Sequence, residues 1–376
     1  MSRSTIPRGL QPKHLRYNRR GERRPFVNLL LRSRCGEIQR TPPGSRLADT
    51  TIKARGQGLL HGESVTVKST SIVRVAIAQS APIFHNKAAS LAKALELIRR
   101  AASQGATLIA FGETWIPGYP VWLDICPNAA LWNHEPTKEV FAELRENSIA
   151  IDGPEVAQMS KIARELQIGI VIGINERVEQ GPGSKTLYNS LLTFSPDGRL
   201  ANHHPKLVPT FTERLVWGNG DGRGLKSVDV GQVRVGGLIC WEHWMPLARM
   251  AMHQAGEHIH VAVWPTVNDV AQLASRHYAF EGRCFVMAVG LMMPASDVPH
   301  QLSHNVTDKW VERGGSCIVA PDSTYIVEPV FDRDELIVAD LDLAMIDRES
   351  MNLDVTGHYS RPDVFRFSHS EINPCV

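Results

Sequence analysis

Three residues of different chemistry stand out, each expected just beyond a strand. They are Glu113 in Phe111-Gly112-Glu113-Thr114-Trp115, Lys206 in His204-Pro205-Lys206-Leu207-Val208-Pro209-Thr210, and Cys240 after Val233-Arg234-Val235-Gly236-Gly237-Leu238-Ile239. A thiol reacts as its thiolate, so Cys240 needs a base or a positive field. The segment Trp241-Glu242-His243-Trp244-Met245-Pro246 reads as a sharp turn opening a helix to about Ala255, whose N-terminus would supply part of that field. A carboxylate at Glu113 can take the thiol proton and later activate a water. An ammonium at Lys206 can stabilise negative charge developing on the attacked atom. Together these groups suit addition of a thiol to an electrophilic carbon bound to nitrogen, followed by hydrolysis. That chemistry requires neither a metal nor an organic cofactor.

Each residue alone also has a bland reading. A lone buried cysteine is usually a small core hydrophobe. Glu113 could be a helix N-terminal acid, Lys206 a solvated cation, and Glu213 a partner of Arg214 or Lys206. The bland readings weaken because the motifs occur together and in one order.

The elements that must position these residues begin at Ile72. Val73 to Gln79 reads as a strand, Lys87 to Ser103 has helical apolar spacing at Leu91, Leu95 and Ile98, and Thr107 to Phe111 is a second buried strand. Helical patterns follow at about 136–147 and 154–166, with strands at about 168–174, 187–194 and 232–239. After the helix beyond Cys240 come the strand His258 to Val263, a helix through Arg276 to Arg283, and strands at about 284–291, 315–320, 325–330 and 335–340. Strands alternating with helices, then late strands joined by short turns, predict an α/β fold with layered mixed sheets.

Composition narrows the class. The net charge of +2 hides an asymmetry: residues 1–70 hold 15 Lys+Arg against 4 Asp+Glu, a surplus of +11, and the remainder carries −9. Residues 1–70 are poor in sustained apolar pattern and are expected to be a disordered basic extension. Three readings compete for it: a basic nucleic-acid or membrane arm, an organelle transit peptide, or translated upstream sequence that the functional protein does not need, and the last is favoured, with the enzyme chain starting near Val67. A nucleic-acid-binding arm has little force, because the basic residues stop where the folded pattern starts and no stacking aromatics alternate with them. The six cysteines form no CxxC pair and no Cys/His ligand spacing, so neither a disulfide framework nor a zinc site is indicated, which fits a reducing cytoplasm. No apolar run approaches the roughly 20 residues needed to cross a bilayer, and no secretory signal is recognisable. The expected organisation is thus residues 1–70, a catalytic domain over 71–367, and a short tail over 368–376.

On these motifs the chain resembles the nitrilase branch of the carbon–nitrogen hydrolase superfamily, whose triad is Glu, Lys and Cys in that order. Glu113 matches the family Glu in the segment ending Ile116-Pro117-Gly118-Tyr119-Pro120, Lys206 the Lys before Leu-x-Pro-Thr, and Cys240 the Cys of the Cys-Trp-Glu block. Glu213, in Thr212-Glu213-Arg214-Leu215-Val216-Trp217-Gly218-Asn219-Gly220-Asp221-Gly222, matches a second family Glu that positions substrate and assists proton transfer. His243 after Cys-Trp-Glu, and Gly357-His358-Tyr359-Ser360-Arg361-Pro362-Asp363, look like nitrilases more than amidases of the superfamily. Gly112 departs from the Pro that many members carry before the Glu, and the short tail after Phe367 departs from members with long extensions.

The resemblance implies an αββα sandwich that dimerises through its helices and often builds larger spirals. It implies a small-molecule nitrile as substrate, converted to carboxylic acid and ammonia through a covalent Cys240 thioimidate and thioester, without cofactor. Trp115, Trp241, Glu242, His243 and Trp264 are the expected substrate contacts, and Trp115, Trp217 and Trp264 make aryl nitriles plausible. The alternative is an aliphatic amidase or carbamoyl-type hydrolase with the same triad.

Overall fold

The computed structural model describes residues 72–371. The basic leader over 1–70, the start near Val67 and residues 372–376 of the tail lie outside the described residues. In chain order the first half contains β1 (Ile72–Gln79), α1 (Lys87–Ser103), β2 (Leu108–Phe111), α2 (Trp122–Ile125), α3 (Glu135–Glu146), α4 (Pro154–Leu166), β3 (Gly169–Arg177), β4 (Leu187–Phe194) and β5 (Leu200–Pro205). The second contains β6 (Val228–Val230), β7 (Val233–Ile239), α5 (Pro246–Ala255), β8 (Ile259–Trp264), α6 (Asp269–Gly282), β9 (Phe285–Gly290), β10 (Met292–Pro294), β11 (Trp310–Val319), β12 (Tyr325–Phe331), β13 (Glu335–Asp342) and α7 (Ala344–Ser350).

Two mixed sheets result, ordered β13-β1-β2-β3-β4-β5 and β10-β11-β9-β8-β7-β6, with β12 paired to β11. β1, β2 and β3 run parallel, as do β7, β8 and β9, because each step between them passes through helix. Alternation along the strands separates two cores. Val75, Ile77, Leu108, Ala110 and Val171 pack in one core with β7, β8 and β9, whereas Ala76, Ala78, Ile109, Phe111, Ile170 and Ile172 pack with Leu91, Ile98, Met159 and Ile162 of α1 and α4. Period-two side chains with both faces buried define a sheet between a second sheet and a helix layer. With α5 and α6 against the other sheet, the architecture is the αββα sandwich. Asn caps fix two of these helices: Asn86 accepts from Ala89 N at 3.0 Å and Asn268 from Ala271 N at 3.1 Å.

Two local features refine the sequence expectation. β5 is largely polar (Leu200-Ala201-Asn202-His203-His204-Pro205), so apolar patterning gives no bounds for the strand expected before Lys206. No α-helix starts at Cys240. A 3-10 turn spans Cys240–Trp244, Met245 is extended, and α5 begins only at Pro246. Proline is suited to a first helical position, which sets the helix start downstream of the thiol. No helix among the described residues is long and apolar enough to cross a membrane.

Candidate active site

Glu113, Lys206 and Cys240 each follow the carboxyl end of a strand, respectively β2, β5 and β7. Loops at carboxyl ends of parallel strands are where α/β sheets carry their sites. Glu113 reaches its place because its loop lies directly on β3: a Cβ at Gly173 would come within 2.4 Å of both Gly112 O and Thr114 N, so only glycine admits the approach. Lys206 is held by its own N–H donating to Asn189 O at 2.7 Å on β4. Cys240 adopts φ +53, a left-handed conformation that a non-glycine residue takes up at a cost and that recurs at functional turns.

Glu242 braces the two loops against each other. Its Oε2 accepts from Ile239 N at 2.7 Å and from His204 Nε2 at 2.9 Å, while Oε1 accepts from Leu207 N at 2.7 Å. One buried carboxylate thus ties the turn bearing the thiol to the strand end bearing the lysine. Burial works against its charge, yet His204 and the two amides hold its pKa below the usual glutamate value.

The reactive groups converge in a buried cluster. Lys206 Nζ donates to Glu113 Oε1 at 3.0 Å and to Glu213 at 2.7 and 3.0 Å. Carboxylate oxygens of Glu113 and Glu213 and the Cys240 sulfur all lie within 4.8 Å of one another. Such spacing would also admit a metal ion, but the Lys206 ammonium already stands between the two carboxylates. Glu213 is saturated, for it also accepts from Tyr119 OH at 2.8 Å and from Thr210 N at 2.7 Å. Glu113 is different. Asn189 Nδ2 and Lys206 both bind its Oε1, at 2.7 and 3.0 Å, leaving Oε2 buried and without a partner. An unpaired buried acceptor is costly, and beside a thiol it is the atom available to receive a proton.

The electrostatics agree with that division. Burial is the main reason that the Glu113 carboxyl is pushed up to about 7, aided by Glu213 and opposed by Lys206. Burial and Glu113 push the Cys240 thiol well above its ordinary value, so the resting pair is a thiol beside a base. Burial alone would lower Lys206, but Glu113, Cys240 and Glu213 outweigh it and raise its pKa, keeping the ammonium charged.

A cavity of about 450 Å³ opens on Cys240 and Glu213, with Tyr119, Phe211, Trp241, Trp264 and Glu312 among its walls. Of the expected substrate contacts, Trp241 and Trp264 therefore border it. Trp115, Glu242 and His243 lie outside the lining. Trp115 is fully buried under β1 and donates to Ser80 O at 2.6 Å, and His243 Nδ1 binds Cys240 O at 2.7 Å. Trp217 is likewise engaged, donating to Asn175 Oδ1 at 2.8 Å. Sequence reasoning missed Tyr119, Asn189 and Glu312. Tyr119 sits inside the motif that contains Glu113, a detectable signal, whereas Asn189 is one of several polar residues in β4, beside Ser190 and Thr193. Glu312 begins as one acid among the polar residues of β11 and gave no such signal.

A family model described as Carbon-nitrogen hydrolase matches residues 74–348. Nitrilase 2 of an unknown prokaryotic organism is 39% identical over 299 residues, covering 78% of this chain and 91% of that protein. The aliphatic nitrilase of Sinorhizobium fredii (strain HH103) is 38% identical over 298 residues, covering 78% and 94%. Among solved structures, a carbon–nitrogen hydrolase from Helicobacter pylori G27 superposes with a TM-score of 0.59 at 17% identity, covering 74% of this chain and 92% of that one.

Proposed function

The chain belongs to the nitrilase branch of the carbon–nitrogen hydrolase family, and from that premise we propose how its residues convert an organic nitrile to a carboxylic acid and ammonia. The observation that carries the reading is the unpartnered Glu113 Oε2 in the cluster where a Glu113 oxygen lies within 4.8 Å of the Cys240 sulfur, with Lys206 bridging the carboxylates. Glu113 takes the thiol proton as sulfur adds to the nitrile carbon, and the nitrogen is protonated by way of Lys206 to give a thioimidate. A water deprotonated by Glu113 adds to that carbon, the carbon–nitrogen bond breaks, and ammonia leaves. A second water hydrolyses the resulting thioester, releasing the acid and restoring the thiol. Glu213, saturated by four hydrogen bonds from Lys206, Tyr119 and Thr210, orients Lys206 and the substrate end of the cavity. Trp241 and Trp264 form walls for an apolar group.

The test is ammonia release with product identification from aliphatic, aromatic and arylaceto-nitriles and from their amides. Acid from nitriles supports the reading. Hydrolysis of amides alone would assign the chain an amidase activity instead. The same proposal includes a cytoplasmic homodimer or larger spiral assembly, which light scattering of the purified protein would test.

The acid limb of kcat/KM should report Glu113, since only its unprotonated form accepts the thiol proton. Its pKa is raised to about 7, so activity is expected to fall as pH drops below 7. A limb near the ordinary glutamate value of about 4.3 would remove Glu113 as the base.

Charge along the cavity gives a selectivity prediction. Its walls include Asp124, Glu213 and Glu312, with no Lys, Arg or His among the described lining residues. Burial lifts Glu312 to about 7, so at pH 8 it is mostly ionised. At that pH cyanobenzoate is expected to show kcat/KM at least about tenfold below benzonitrile, because like charges brought together in a cavity repel. Glu312→Gln should narrow the gap, and equal turnover of the two nitriles by the wild type would refute it.

A further inference from the structure

Outside the cavity, a buried chain of hydrogen bonds leads from the nucleophile's backbone into the helix layer. His243 Nδ1 lies 2.7 Å from Cys240 O, His243 Nε2 lies 3.0 Å from His260 Nε2, and His260 Nδ1 lies 2.8 Å from Glu257 Oε1. Tyr278 OH donates to Glu257 Oε2 at 2.6 Å. All four side chains are buried, His243 is stacked on Trp264 and His260 on Tyr278. The fold makes room for the far end of the chain: a Cβ at Gly236 of β7 would come within 1.8 Å of Glu257 Oε1.

The geometry dictates where the protons are. A carbonyl oxygen only accepts, so His243 Nδ1 must carry hydrogen. In a neutral imidazole its Nε2 is then an acceptor, which requires hydrogen on His260 Nε2. His260 Nδ1 is in turn an acceptor, and the hydrogen between it and Glu257 must come from the carboxyl group. Placing that hydrogen on His260 as an imidazolium beside a carboxylate leaves the number of protons unchanged. The chain therefore holds one proton beyond those of two neutral histidines and a carboxylate. If it is lost, the carboxylate draws His260 Nδ1–H toward itself and both histidines change tautomer. The two lone pairs that then face each other are those of His243 Nδ1 and Cys240 O.

We propose that His243, His260 and Glu257 are positioning residues that share a single proton to hold Cys240 in its reactive backbone conformation, and that loss of this proton releases it. Burial supports the neutral form: it lowers His243 to about 3, lowers His260 well below the usual imidazole value, and raises Glu257 to about 8. The neighbouring charged groups are largely committed elsewhere. Arg249 and His253 of α5 bind Glu281 of α6 at 2.6 and 3.1 Å, Arg249 also donates to His243 O at 3.1 Å, and Glu242 is held by His204. Burial keeps the Cys284 thiol and the Tyr278 phenol protonated. Arg234, His258 and Arg283 share with Glu257 a separate cavity of about 250 Å³.

The inference rests on Cys240 being the nucleophile, and the test separates the two. In Glu257→Gln the amide N–H can donate to His260 Nδ1 while its oxygen accepts from Tyr278, a permanent copy of the protonated carboxyl. Activity of this variant at pH 7 is expected within about threefold of wild type. Above pH 8 wild-type kcat/KM should fall about tenfold per pH unit relative to the variant, as expected for loss of one proton. Glu257→Leu should lose kcat at every pH with little change in KM. Superimposable profiles for wild type and Glu257→Gln, or equal losses in the Gln and Leu variants at pH 7, would overturn the proposal. Iodoacetamide alkylation, located by peptide mass, gives a readout independent of substrate. Cys240 should react faster than buried Cys284 and Cys317, and the variant-to-wild-type rate ratio should rise above pH 8. A reactive Cys240 with a flat ratio would sink the proton chain alone, whereas an unreactive Cys240 would remove both readings.

Discussion

Cys240→Ala is expected to abolish nitrile turnover, lowering kcat by about 10⁴-fold or more, the scale seen when a nucleophile acting with its base is removed. The expectation follows from the cluster itself: among the described residues, Cys240 is the thiol that shares it with Glu113 and Glu213. The fold should persist, because alanine retains the Cβ and the φ +53 turn is held by Glu242 and His243 through groups other than sulfur. Ammonia release would measure activity, thermal unfolding would measure the fold, and mass spectrometry of substrate-mixed wild type should show a covalent adduct missing from the variant. Turnover retained within tenfold would discard the thiol mechanism.

Lys206→Met should damage both activity and stability. The ammonium is 1% exposed and stands between two carboxyl groups that are equally shielded from water. Removing one partner of a buried ion pair leaves uncompensated charge, with a typical cost of about 3–5 kcal/mol. Loss of the cation that stabilises developing charge should also lower kcat by about 10²–10³-fold. The pH dependence has a definite sign. Burial and Glu213 already raise Glu113, and without Lys206 nothing of comparable size opposes them, so the folded variant retains a proton that the unfolded chain releases. Stability of the variant should be present at pH 5 and diminish as pH rises through the elevated folded-state pKa. Adding Glu213→Gln should recover much of the stability at pH 8 without recovering turnover. A Lys206→Met melting temperature equal to wild type at both pH values would refute the buried-pair account.

A layered α/β fold was legible because its central strands bury both faces and its helices carry regular apolar spacing, while the αββα arrangement followed from the family resemblance. Ala76 and Ile77 illustrate the limit: periodicity places them on opposite faces, but only the assembled sheets show that one faces α1 and the other the second sheet. The bounds of β5 escaped because its hydrogen-bonding register with β4, rather than an apolar run, makes it a strand. The four reactive residues could be named from local motifs, since strand ends and turns advertise them in short segments. Their surroundings depend on distant pairing. Asn189 meets Glu113 only when β4 is in register, and Trp115, two residues after that Glu, turns into the core through a loop with Thr114 at φ +44. Adjacency in sequence therefore proved a poor guide to which aromatic rings border the cavity.

The Glu242 brace has a consequence for how the protein can change. Because this carboxylate fixes the thiol turn to the lysine strand from inside the sandwich, the spacing of the reacting groups does not depend on Phe211, Val270 or the other side chains that shape the cavity mouth. The walls can therefore be randomised to alter substrate range while the reaction geometry is inherited unchanged, and a library built there should retain far more active members than one that includes position 242.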